Sequence, residues 1–185
     1  MKDEVQWGHP GALGLAGFGF STILLQIHNI GLIEGTIPLI FGFFWGGIVQ
    51  VIAGIIDGRR GDTFGLTAFT SYGLFWMGLG FAFFMEWVGV VTLDSAGIAW
   101  LFIMWGIFSG YMAIGTFKIS VVHVIVFSTL TLLFFLLAAH FFGGMTAVVP
   151  GVVGIICGAS AVYGSAALIL NDKYGRWVLP IGLLS

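Results

Sequence analysis

The chain has 185 residues, 59% of them hydrophobic and only 8% charged, with a mean hydropathy of +1.10. A soluble domain carries roughly a quarter of its residues as charges, so this composition excludes a soluble globular fold. The net charge of -2 leaves no basic footprint for nucleic acid, and the first residues, "MKDEVQWGHP", lack the basic run and cleavage site of a removable signal peptide.

Charges and helix breakers divide the chain into six apolar runs, each near the roughly 20 residues that a membrane-crossing helix needs. The first, expected over 12–33, follows His9-Pro10 and carries Phe18. On it Thr22, Gln26 and Asn29 recur at i, i+4 and i+7, which places them on one helix face. The second, over 37–57, begins beyond Glu34 at Pro38 and holds Gln50 alone among Gly46, Gly47 and Gly54. "DGRRGD" at 57–62 reads as a loop.

The third run, 63–86, has Thr63, Thr67 and Thr70 at the same stripe spacing, followed by Ser71 and Tyr72. Nine steps of roughly 100° from Thr63 put Tyr72 opposite that stripe on a regular helix. The fourth, 96–117, lies between Asp94 and Lys118; the fifth, 119–142, ends at "FGGMTAVVP". The sixth, 146–170, ends at "NDKYGRW". The runs are continuously apolar rather than alternating ten-residue segments, which excludes a β-barrel. The expected fold is an all-α integral membrane protein, one six-helix transmembrane domain over 1–185.

Every Lys and Arg falls in the head, the second-to-third loop, the fourth-to-fifth loop or the tail, namely Lys2, Arg59, Arg60, Lys118, Lys173 and Arg176. The other loops hold only Glu34, Glu86 and Asp94. The positive-inside rule therefore puts both termini in the cytoplasm. Four glycine pairs at i, i+4 (Gly42 with Gly46, Gly61 with Gly65, Gly106 with Gly110, Gly154 with Gly158) read as close-packing positions between helices.

No acid, Lys or Arg is expected deep in a span, and His28 and His140 fall near one face, His123 near the other. The histidines and the lone Cys157 show no metal-ligand spacing. There is no phosphate-binding glycine loop and no catalytic dyad on facing spans, so neither a cofactor, a metal nor an enzymatic activity is expected. What remains is a neutral polar set: the two stripes and Gln50. Such groups serve either as hydrogen-bonded glue between helices or as the lining of a hydrated path.

The blocks "HPGALGLAGFGFSTILLQIHNIG" (9–31), "FWGGIVQVIAGIIDGRRGDTFGLTAFTSYGLFW" (44–76), "GTFK" (115–118), "GIICGASAVY" (154–163) and "GRWVLPIG" (175–182) together resemble the acetate uptake transporter family. That family includes bacterial succinate–acetate permeases and yeast acetate transporters also linked to ammonia export. The resemblance implies six helices per protomer, a homohexamer in the cell membrane (a prokaryotic cytoplasmic membrane is expected), and passage of acetate, with succinate and other small carboxylates, through each protomer. It places a hydrophobic constriction at Phe18, Tyr72 and Leu130. The path residues are then Thr22, Gln26, Asn29, Gln50, Thr63, Thr67, Thr70 and Ser71.

The opening motif of that family is usually Asn-Pro-Ala-Pro-Leu-Gly-Leu; here it is His9-Pro10-Gly11-Ala12-Leu13-Gly14-Leu15. His9 thus introduces a titratable ring where the family has a neutral amide. Anion channel and proton-coupled permease both remain open. The alternatives are a path for ammonia or a small neutral solute on the same fold, and a structural protein whose stripes are glue.

Overall fold

The computed structural model describes residues 7–184. Six helices long and apolar enough to cross a membrane follow one another: α1 (Gly11–Asn29), α2 (Ile37–Arg59), α3 (Thr63–Trp87), α4 (Ser95–Thr116), α5 (Val121–Phe141) and α6 (Val148–Tyr174). The chain is a multi-pass membrane protein. Short connections make successive helices run antiparallel, with α2 along α3 and α4 along α5, and α1 packs along α6.

Local chemistry sets the ends. Asp62 accepts from the Gly65 N–H at 3.0 Å and starts α3; Asp94 does the same for α4 through Gly97 at 2.9 Å. Ser120 caps α5 by accepting from the His123 N–H at 3.3 Å. These side chains satisfy amides that a helix start leaves without partners. α1 stops at Asn29, four residues before the expected 33, because the chain turns at Gly31 with φ of 81°. α2 runs to Arg59 and so takes Asp57 into the helix, where a loop was expected.

α2 is not regular. Gly42–Ile48 forms a π-helical segment between two α-helical halves. The glycines there leave no side-chain ridge, and the Trp76 indole of α3 lies directly on them: a Cβ on Gly42 would come within 2.6 Å of it, and one on Gly46 within 2.9 Å. α1 and α6 touch backbone to backbone, since a Cβ on Gly19 would meet the Gly158 carbonyl at 2.7 Å, and the reverse holds equally. Gly154 packs on Gln26 and Gly106 on Phe135. The pairing of Gly61 with Gly65 does not hold: Gly61 sits in the turn before α3 with φ of 81°, while Gly65 packs against Asp57.

The tail returns to the bundle. Gly182 and Ile181 carbonyls accept from the Val121 and Val122 N–H groups at 2.7 and 3.3 Å, and Asn171 holds the Leu179 backbone through both its amide atoms. Arg59, Arg60, Lys118, Lys173 and Arg176 therefore share one end of the bundle with residues 7–10 and the tail. Lys2, counted with them, lies outside the described residues.

Candidate functional site

Two cavities, each about 300 Å³, enter the bundle from opposite ends. The one at the acidic end is walled by Phe75, Trp76, Phe102 and Phe134, with Thr22, Gln26, His28 and Asn29 along one side. The one at the basic end includes His9, Gln50, Asp57, Asp62 and His123 among apolar walls, and the tail residues Ile181 and Leu183 are part of its lining. Three residues line both: Phe18 of α1, Tyr72 of α3 and Leu130 of α5. They form the partition between the cavities.

Hydrophobic packing from four helices fixes this partition. Tyr72 is 3% exposed and its ring lies 6.1 Å from Phe18, 5.5 Å from Trp105, 5.3 Å from Phe108 and 6.0 Å from Phe127. Those spacings suit tilted and edge-on aromatic packing. Its hydroxyl shares a 2.8 Å hydrogen bond with the Ser109 hydroxyl of α4, and either oxygen can donate. When Ser109 donates, the Tyr72 proton is free to serve another acceptor.

The stripe on α1 faces the acidic-end cavity as its spacing requires. Asn29 donates to the Gln26 side-chain oxygen at 2.9 Å, and the buried Thr22 hydroxyl has no partner among the described residues. His28 Nδ1 bonds the Ile33 carbonyl at 3.0 Å, closing the turn after α1. Gln50, 1% exposed, lines the basic-end cavity, and its side-chain oxygen likewise finds no partner among the described residues.

The hydroxyls of α3 are placed differently from expectation. Thr63 is exposed, Thr67 and Ser71 are half-buried, and Thr70 packs against Gly54 of α2; none of the four lines either cavity. The reason is the regularity of α3. With Tyr72 turned inward, the stripe on the opposite side of the helix must face outward or toward α2. Phe64, Gly65, Ala68 and Phe69 take the inward face instead.

Asp57 is the residue that sequence reading missed. It is 3% exposed and lines the basic-end cavity, so a carboxylate does lie inside a span. Gly65 makes room for it: an added Cβ would come within 2.6 Å of the carboxyl carbon. Across the cavity His123 Nδ1 bonds the Ser120 hydroxyl at 2.7 Å.

Of the opening motif, His9 and Leu15 line the basic-end cavity, Pro10 is buried, Gly14 packs on Phe69, and Leu13 is largely exposed. The Ser165 hydroxyl of α6 donates to the Ala12 carbonyl at 2.6 Å and anchors this end of α1. His9 Nδ1 accepts from the Gly11 N–H at 3.1 Å. His9 is exposed overall, but partial desolvation of the ring holds it below the ordinary histidine value, and the nearby Arg60 guanidinium adds to that; Asp62, the ring's contact with the His9 backbone itself and Asp172 pull the other way. Arg60 is itself tied down, donating at 2.8 Å to the Trp7 and Gly8 carbonyls.

Comparison with known proteins agrees with this architecture. The model of the GPR1/FUN34/yaaH family matches residues 2–184. The succinate-acetate/proton symporter SatP of Escherichia coli K12 is 45% identical over 94% of this chain and 95% of its own length. The ammonia transport outward protein 2 of Saccharomyces cerevisiae is 31% identical over 91% of this chain and 64% of its own. Among solved structures, the bacterial acetate channel SatP superposes with a TM-score of 0.92 at 43% identity, covering 96% of this chain and 100% of that one. The chain belongs to the GPR1/FUN34/yaaH family.

Proposed function

We propose that this family member carries acetate and related small carboxylates across the membrane, through a path inside each protomer that runs from the acidic-end cavity to the basic-end cavity. The observation that carries the reading is the partition: two cavities meet from opposite ends on Phe18, Tyr72 and Leu130 alone. The names of the bacterial relative and the solved acetate channel point to the same substrate class.

Apart from Asp57 and Asp62 in the basic-end cavity, the polar lining consists of groups that can donate to a small anion. Acetate is mostly ionised at pH 7, since an ordinary carboxyl titrates around pH 4 to 5. A bare carboxylate in hydrocarbon is prohibitively costly, so donors must replace its water. Thr22 and the amides of Gln26 and Asn29 supply neutral donors at one end, and Gln50 with the histidines at the other. None carries a fixed positive charge, so binding stays weak enough for exit. At the partition the Tyr72 hydroxyl is the one donor, and the rings of Phe18 and Phe127 exclude bulk.

The test is uptake of radiolabelled acetate into proteoliposomes. Flux through the wild type, with Leu130→Ala admitting lactate while acetate flux persists, is expected. Unchanged size selectivity in folded Leu130→Ala and Phe18→Ala would remove these residues from the path. The yeast ammonia transporter supports a second reading, in which the same path passes ammonia. Ammonia flux without acetate flux would favour it. The positive-inside rule orients the basic end toward the cytoplasm, and exposed apolar side chains such as Phe20, Ile52 and Met104 provide faces for lipid and for assembly as a homohexamer.

A further inference from the structure

His9 occupies a second partition. Beyond the basic-end cavity lies an open vestibule walled by Trp7, Arg60, Asp172 and Lys173. The cavity and this vestibule share only His9 and Leu168. A solute leaving the cavity sideways, between the start of α1 and the end of α6, has to pass that pair and would enter a vestibule carrying Arg60 and Lys173 beside Asp172.

The histidine ring is held by a bond that depends on its protonation. Because the Gly11 N–H donates to Nδ1 at 3.1 Å, Nδ1 carries no proton and the ring is neutral, with its proton on Nε2. An imidazolium has N–H at both positions and cannot accept. Protonation would set two N–H groups against each other and release the ring from Gly11.

The charged groups around it come from every neighbouring element. Arg60 at the end of α2 opposes a second positive charge, while Asp62 before α3 and Asp172 on α6 would receive one; Lys173 on α6 lines the vestibule. His123 on α5 and Asp57 on α2 line the same cavity. Partial burial of the ring and Arg60 outweigh the carboxylates and lower its affinity for a proton.

We propose that His9 is a proton-operated door between the basic-end cavity and the vestibule: neutral and latched to Gly11 it closes the wall with Leu168, and protonated it swings toward Asp62 and Asp172 and opens the way for a carboxylate. The inference rests on the transport reading above. Its sign follows from the depressed value of His9. The latched form is fully populated above the ordinary histidine value of about 6.5 and is lost only at lower pH. Acid at this end therefore speeds passage, and the cationic ring adds local attraction for an anion.

Two measurements test the door. In proteoliposomes with equal pH on both sides, acetate flux is followed from about pH 7.5 to 5.5, each protein being normalised to its own rate at the upper value. The comparison is His9→Asn, whose Oδ1 stands as many bonds from Cα as Nδ1 and can accept from Gly11 without titrating. The ratio of wild type to variant should rise several-fold below about pH 6.5, and comparing at equal pH cancels the changing fraction of neutral acetic acid. A flat ratio overturns the proposal. Independently of flux, nitrogen NMR of labelled histidine should show an unprotonated Nδ1 at neutral pH, and a proton on Nδ1 there would overturn it. Absence of acetate flux from the wild type at every pH would instead refute the transport reading, while the NMR result still judges the latch.

Discussion

Tyr72 is where single side chains decide the most. Its hydroxyl and that of Ser109 share one hydrogen bond, 2.8 Å long, in a wall otherwise made of rings. Tyr72→Phe leaves the ring and strands the Ser109 hydroxyl; Ser109→Ala strands that of tyrosine. If the Tyr72 proton serves the solute, Tyr72→Phe should lower acetate flux at least tenfold, about 1.4 kcal/mol in the barrier. Ser109→Ala should then lower it much less, since the tyrosine proton loses a competitor. Equal losses in both would show the pair to be packing glue. That Tyr72 and the threonine stripe oppose each other was readable from helical geometry, but not which side faces inward. Both sides of α3 mix small and aromatic residues, and only contact with α4 and α5 breaks the tie. Asp57 was illegible for another reason: hydropathy treats a carboxylate beside two arginines as loop. Gly65→Ala should displace that carboxylate and reduce flux in a protein that still folds, because the substitution changes one methyl facing a cavity. Full activity in the alanine variant, measured by acetate uptake, would separate Asp57 from transport.

At the scale of elements, hydropathy located six spans because a helix in lipid must be apolar along its whole length. It gave no hint of the π-helical segment in α2 or of the tail. The first depends on how Trp76 fits against Gly42 and Gly46, and the second on hydrogen bonds such as Tyr163 to the Pro180 carbonyl at 2.8 Å. Tyr163 therefore faces the tail. Gly19 and Gly158 bring α1 and α6 into backbone contact, where each carbonyl would lie 2.7 Å from an added Cβ. Lipid offers little hydrophobic drive for helix association, so such approach is a main source of cohesion. Gly158→Val should push α1 from α6 and widen the partition that Phe18 forms. Overpacking of this kind typically costs about 1–3 kcal/mol in soluble cores. A lowered unfolding temperature in detergent, with leak of larger acids, is the expected outcome. An unshifted melting curve would mean that the helices separate freely.

For the whole molecule, the two ends differ in kind. One gathers the described arginines and lysines with His9, Asp57, Asp62 and His123; the other presents Glu34, Glu86 and Asp94 with a cavity of rings and neutral amides. Exposed Trp87 and Trp100 mark one interface and Trp7 and Trp177 the other, as aromatic side chains with an apolar body and a polar edge prefer. Under the proposed orientation the proton-sensitive door faces the cytoplasm, and solute from outside meets the neutral amides first. The orientation is open to direct test. Cysteines replacing Lys118 and Asp94, in a Cys157→Ser background, are both in exposed turns and can be labelled in intact cells by a reagent that does not cross the membrane. The Asp94→Cys site should react from outside, and the Lys118→Cys site only after the membrane is opened. The background matters little, because Cys157 is buried with its thiol toward the Val126 carbonyl. Labelling of Lys118→Cys alone in intact cells would invert the molecule, and the door of His9 would then answer to the acidity of the medium rather than of the cell.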